Sequence, residues 1–377
     1  MNDNCRKPYS VIMQVQKPTY QQNTGQKKDY LELKRLVEER MQYIHPARIH
    51  WARTRSIIFP LLYLGLWGLA VSGWFSTAFL YTAYFLMGIL IVLIFLNLVH
   101  EAVHGSLYGN KSREGLVLLL FDLLGANSYI WKKRHILMHH NFPNVDGWDT
   151  DIEQSAFFNV AGKAGKNFFT RNQHWLMFFL YPLYLPNWLL VRDFKDFFDA
   201  GRTIRKMVRI PLVEYFKLFF FKTVFITYVL VLPVWLGGYT LGQAFCAFLV
   251  LLFTASVFAL LVLLTPHANI HNSFPVPEAD RKMPSSWMVH QFLTTNDIRL
   301  DNPLARLVLG NFNYHLAHHL FPNIHHVYMP EVTGVIREFA ATHWYPYRAY
   351  GLLESLRNHY LLLKQHALEM DILEEDM

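Results

Sequence analysis

Residues 100–106 read HEAVHGS and follow directly on the apolar run LMGILIVLIFLNLV. His100, Glu101 and His104 fit H-E-x-x-H, which sets two imidazoles one helical turn apart with a carboxylate beside the first. Such a set can hold one zinc ion, with the Glu as general base for peptide hydrolysis. Whether it does so here depends on how many other histidines must be placed around the same centre. The chain has 19. WKKRHILMHHNFPN holds His135, His139 and His140, and NFNYHLAHHLFPNIHH holds His315, His318 and His319, with His325 and His326 following. LLTPHANIH puts His267 at the end of another apolar run and His271 one turn later.

On a helix, positions i, i+3 and i+4 share a face, so each group can aim two or three imidazoles at one point. Imidazole-rich sites suit Zn, Cu, Fe or Ni. A catalytic zinc takes three protein ligands and keeps one position open. The three boxes supply eight histidines and His267 would be a ninth, enough for two metals with four or five ligands each. H-E-x-x-H then reads as i, i+4 ligand spacing with a Glu inserted, and the intramembrane zinc peptidase becomes a remote alternative.

The elements that must carry these boxes are largely apolar. Of 377 residues, 53% are hydrophobic and 16% aromatic. A transmembrane helix needs ~20 mostly apolar residues to cross ~30 Å of hydrocarbon. Runs at about 56–75, 78–99, 218–236 and 242–264 qualify, forming two hairpins around Gly73–Thr77 and Gly237–Gly242. The first 55 residues carry eleven Lys and Arg and the hairpin tips carry none. The positive-inside bias therefore puts 29–55, 100–217 and 265–377 on the cytoplasmic side. Two further apolar stretches, 115–131 with Asp122 and 175–191 with Pro182 and Pro186, read as interfacial or re-entrant, which leaves every box on one side. The expected fold is an all-α membrane protein with four transmembrane helices in two hairpins and a cytoplasmic helical cap carrying the histidines. A polar N-terminal tail, 1–28, would precede a single domain, 29–377. Residues 29–44 repeat apolar positions at helical spacing and suggest a helix packed on that cap. The net charge of +7 fits basic flanks on anionic headgroups, and no nucleic-acid partner is expected. The two cysteines, Cys5 and Cys246, exclude a disulfide scaffold or a cysteine-ligated cluster, and MNDNCRKPYS offers no apolar core for a cleaved signal.

HEAVHG, RHILMHH and HLAHH resemble the three histidine boxes of the integral-membrane fatty acid desaturase family. WKKRHILMHHNFPNVDGWDTDIE resembles its second-box region. HANIHNSFPVPEADRKMPSSWMVHQFLTTNDIRLDN and GNFNYHLAHHLFPNIHHVYMPEV resemble bacterial acyl-CoA or acyl-lipid desaturases of the linoleoyl-CoA desaturase type. The likeness covers roughly residues 50–360. It implies a non-haem di-iron site, two Fe ions with O2 as co-substrate. Its ligands would be His100, His104, His135, His139, His140, His315, His318 and His319, with His267 the ninth and His290 and His271 further candidates. It also implies desaturation of a fatty acyl chain, carried as a CoA thioester or a membrane lipid, to give a cis double bond. Relatives that act between an existing double bond and the carboxyl end usually have Gln where this chain has His315, which leaves regiochemistry open. Many also carry a fused cytochrome b5 domain. No HPGG motif occurs here, so electrons are expected from an external ferredoxin or cytochrome b5 type donor.

An unactivated methylene needs a cofactor, and the protein's part is positioning. No catalytic residue beyond the ligands is expected. Glu101, Asp149 and Asp151 are candidates to orient ligand N–H groups. Lys132, Lys133 and Arg134 are candidates to meet a phosphate on the acyl carrier or to mark the membrane boundary. A lipid hydroxylase or carotenoid ketolase on the same scaffold remains an alternative.

Overall fold

The computed structural model describes residues 16–44, 47–152, 157–162, 167–300 and 302–375. Cys5 and the first fifteen residues of the predicted tail lie outside them. Among the described residues, four helices are long and apolar enough to cross a membrane: Ala47–Val71, Thr77–His104, Leu212–Trp235 and Leu241–Leu263. The first begins well before the apolar run because its N-terminal turns are anchored on the cap. Arg48 donates to Val327 O at 2.8 Å and pairs with Glu331, and Arg53 donates to Leu107 O.

The second and fourth spans pack closest. An added Cβ at Gly88 would stand 2.6 Å from Leu251 O and 2.9 Å from Thr254 Cβ, so the backbones meet only because that side chain is missing. The third span is interrupted by a π-helical turn, Thr227–Val231. Carbonyls exposed by such a turn must find donors inside the protein, because hydrocarbon supplies none. Trp67 Nε1 donates to Tyr228 O at 2.8 Å and Tyr84 Oη to Val229 O at 2.6 Å, which ties the first two spans to the third.

Between the spans, the 115–131 segment does not continue as one rod. Lys111–Leu123 and Ser128–His139 meet at 107°. The corner is made by Gly125, with φ +90°, and by Asp122, whose carboxylate accepts from Ser128 N at 2.7 Å and Ser128 Oγ at 3.1 Å. Asp122 is thus the acceptor that ends one limb and starts the other. The 175–191 stretch is likewise broken into Gln173–Leu180, a 3-10 turn at Tyr181–Leu183, Tyr184–Asn187 and a π-helical turn at Trp188–Arg192. It leaves Trp175, Phe178 and Phe179 exposed.

The cap is helical apart from two three-residue parallel strands, Asp297–Arg299 beside Ala349–Gly351. The helix read from 29 onward starts at Thr24, capped by Asn23, and buries Leu33 and Val37 against Met329–His343. Thr19 bridges to Lys282, and Tyr20 stacks on Phe142, so residue 19 pairs with the 281–283 stretch and residue 20 packs against the second-box loop.

Gly88→Val should force the second and fourth spans apart at a cost of about 1–3 kcal/mol. The expected outcome is a lowered thermal midpoint of the detergent-solubilised protein.

Candidate metal centre

Nine histidines from four separate stretches converge in two adjoining groups. His100, His104, His135, His140 and His318 form one; His139, His267, His315 and His319 form the other. The rings of His140 and His319 stack at 4.5 Å across the boundary. His104 and His135 lie 3.2 Å apart, Nε2 to Nε2, so the bent 111–139 segment returns the chain to the place it left.

Local backbone geometry decides which ring joins which group. His100 and His104 are i, i+4 on a regular helical turn and face one centre. His135–His139 is a π-helical turn, with His140 N bonded to His135 O at 2.9 Å. Bonds between residues five apart bring His135 and His140 onto one face and turn His139 to the second group. The third box lies on a short α-helix that sends His315 and His319 one way and His318 the other. The i, i+4 reading, which put His135 and His139 on one face, is corrected by the extra residue in that turn.

The inward nitrogens are spaced as ligands would be. His135 Nε2 stands 3.2 Å from His100 Nε2 and 3.0 Å from His140 Nε2; His318 to His140 is 3.1 Å and His267 to His315 is 2.7 Å. Metal–nitrogen bonds of about 2.1 Å set at right angles put neighbouring nitrogens about 3 Å apart. Burial, and then the neighbouring imidazoles, push His315, His318 and His319 well below the usual histidine range. Burial, helped by His139, takes His267 to about 3. Burial thus favours the neutral form of these rings, and in His267 and His319 an outward oxygen can hold the one ring N–H, which leaves the inward nitrogen a lone pair. His319 Nε2 is buried without a hydrogen-bond partner. A cation pair is the complement this arrangement fits.

Four of the outward nitrogens are tied down. His135 Nδ1 meets Asp151 at 2.9 Å and His139 Nδ1 meets Asp149 at 2.9 Å. Such contacts fix the tautomer and the ring plane. Sequence reasoning missed three others. His319 Nδ1 faces Gln291 Oε1 at 3.1 Å, and His267 Nδ1 faces Thr294 O at 3.3 Å. Asn144, at φ +60°, donates its backbone N–H to Asp149 Oδ2 at 2.8 Å and its side-chain amide to His267 O at 3.0 Å. The WMVHQ and HHNFPN stretches contained Gln291 and Asn144, and Thr294 follows three residues after the first, but nothing in their spacing marked them.

Four candidates take other places. Glu101 Oε1 is 3.9 Å from His100 Nδ1, too far for a hydrogen bond; the carboxylate accepts from Ser106 Oγ at 2.7 Å and His326 N at 3.2 Å. His290 lies outside both groups, with Nε2 on Pro143 O at 2.9 Å, and His271 is exposed and stacks on Tyr350. Arg134 is fully buried on Asp196 and Thr150 O, both at 2.9 Å, and therefore cannot reach a carrier phosphate.

The fatty acid desaturase family model matches residues 76–351, which contain all nine histidines. The chain belongs to the fatty acid desaturase family. It is similar to the sn-1 linoleoyl-lipid 6-desaturase of Arthrospira platensis, 26% identical over 64% of this chain and 65% of the relative. The acyl-lipid (8-3)-desaturase of Physcomitrium patens is 28% identical over 74% of this chain and 58% of the relative. The sn-1 linoleoyl-lipid 6-desaturase of Synechocystis sp. is 23% identical over 67% of this chain and 71% of the relative. The match thus spans under two thirds of the first two relatives. Family membership agrees with the resemblance carried by the three boxes.

Asp149→Ala removes the partner of His139 Nδ1 and should weaken metal retention by about 10–100-fold. Metal content after dialysis against graded chelator measures it.

Proposed function

We propose that this chain introduces a cis double bond into a fatty acyl chain at a pair of irons, with reduction of O2 to water. His100, His104, His135, His140 and His318 would hold one iron, and His139, His267, His315 and His319 the other. Iron so held supplies the O2 activation and hydrogen removal that no side chain can perform on an unactivated methylene. The protein's own residues hold the ligand rings, exclude water and align the chain.

One observation carries this reading. An apolar cavity between the second span, the 184–189 segment and the fourth span adjoins the cavity lined by His100, His135, His139, His267 and His315. Phe95, Tyr184, Trp188 and Leu263 line both. An acyl chain lying there would bring its methylenes against the imidazoles, in a slot whose alignment matters at the ~1 Å level.

The relatives are named for lipid-linked acyl chains, which favours a membrane lipid over a CoA thioester as carrier. Eleven basic residues ahead of the first span's apolar core favour a cytoplasmic position for the boxes. There an external donor of ferredoxin or cytochrome b5 type would deliver electrons. Single-zinc hydrolysis is disfavoured, because Glu101 is engaged by Ser106 and His326 rather than by a water-binding centre.

Expression in a host without polyunsaturated lipids should yield new unsaturated fatty acids, and the purified protein should hold two irons per chain. His318→Ala should abolish the product and lower the iron content. Hydroxylated or ketonic lipids would replace this reading with oxygen insertion, and one zinc without iron would restore the peptidase.

A further inference from the structure

Trp188 stands where the apolar cavity meets the histidine-lined one, and its position is fixed by groups that do not touch either histidine group. Its indole N–H donates to Asp193 Oδ1 at 3.1 Å. Asp193, fully buried, holds Lys222 of the third span at 2.8 Å through its other oxygen, and the same ammonium donates to Gly125 O at 2.9 Å. One lysine therefore joins the third span, the corner of the bent segment and the turn carrying Trp188. On the other face the Arg192 guanidinium lies 5.3 Å over the indole and donates to Thr150 O, beside the acids of the second box. A buried charge pair is an expensive way to gain stability, since apolar replacements of similar volume do as well or better. It does give a fixed geometry, and here the group so fixed is an aromatic wall of the cavity.

We infer that Trp188, held by the Asp193–Lys222 pair, is the register post of the acyl chain, deciding which carbon–carbon bond lies beside the two histidine groups. This rests on the acyl-chain reading given above. Trp188 is the specificity-determining residue, and Asp193 and Lys222 are positioning residues that act through it. A chain that threads past a fixed indole stops at one depth. With the indole free to tilt, it stops at several, and the double bond moves along the chain.

The test uses full-length protein expressed with a defined acyl supply, reading double-bond position by mass spectrometry of derivatised products. Trp188→Phe keeps an aromatic ring and leaves Asp193 paired with Lys222 but removes the N–H tether. Asp193→Leu combined with Lys222→Met removes both charges together, so neither is orphaned. Each should yield positional isomers absent from the wild type, displaced by one or more carbons. As a readout independent of turnover, an acyl probe bearing a mid-chain diazirine should label the 184–192 stretch of metal-free wild-type protein, and the labelled positions should spread in both variants. A single unchanged bond position in either folded variant would overturn the inference, as would loss of all product from both, because a register role predicts displaced product. A wild type that desaturates nothing refutes the enzyme reading itself, whatever the variants do.

Discussion

Neutral imidazoles that point their lone pairs at one another inside a protein repel unless something positive stands between them, and every other feature of this site follows from that constraint. Five nitrogens around one centre and four around the next face one another, and where an outward acceptor holds a ring's single N–H the inward nitrogen has only a lone pair to offer. The outward nitrogens show the same logic from the other side. Asp149, Asp151, Gln291 and the Thr294 carbonyl each fix one ring so that its second nitrogen faces inward. An arrangement costly without cations becomes a rigid donor set with them.

The spans serve this set by remaining close-packed where they are thin in polar groups and self-satisfied where they are not. Gly88 lets two backbones touch, while Tyr84 and Trp67 cover the carbonyls that the π-helical turn of the third span releases. The π-helical turns recur where direction must change. Phe95–Val99 leads into the first box, His135–His139 is the second, and Trp188–Arg192 carries the wall between the cavities. Each shifts the side chains that follow onto a new face without breaking the helix, which is why such turns collect at functional positions.

Much of this was legible in the residue order. Four apolar runs gave four helices long enough to cross a membrane; the three boxes pointed to eight histidines, and the end of an apolar run to His267. The likeness to desaturases rested on the same boxes and agrees with the family match. What could not be read is instructive. The partition of His135 and His140 from His139 depends on one extra residue in a helical turn, and no periodicity argument announces it. Gln291, Thr294 and Asn144 act through contacts made by chain segments more than a hundred residues apart or by backbone carbonyls, neither of which spacing encodes. Arg134 looked like part of a boundary triplet because Lys132 and Lys133 precede it, yet tertiary packing turned it inward to Asp196.

His140 and His318 are neighbours in space and 178 residues apart along the chain. Metal bound between them would close a loop that includes the third and fourth spans, and the entropy of closing so long a loop is set against the binding energy of the ion. The last ligands lie close to the carboxyl end of the family-matched region, so a ribosome must have finished both membrane hairpins before the full donor set exists. Capture of a metal by this donor set would thereby be tied to late assembly: a chain that has failed to insert its second hairpin lacks the means to retain it.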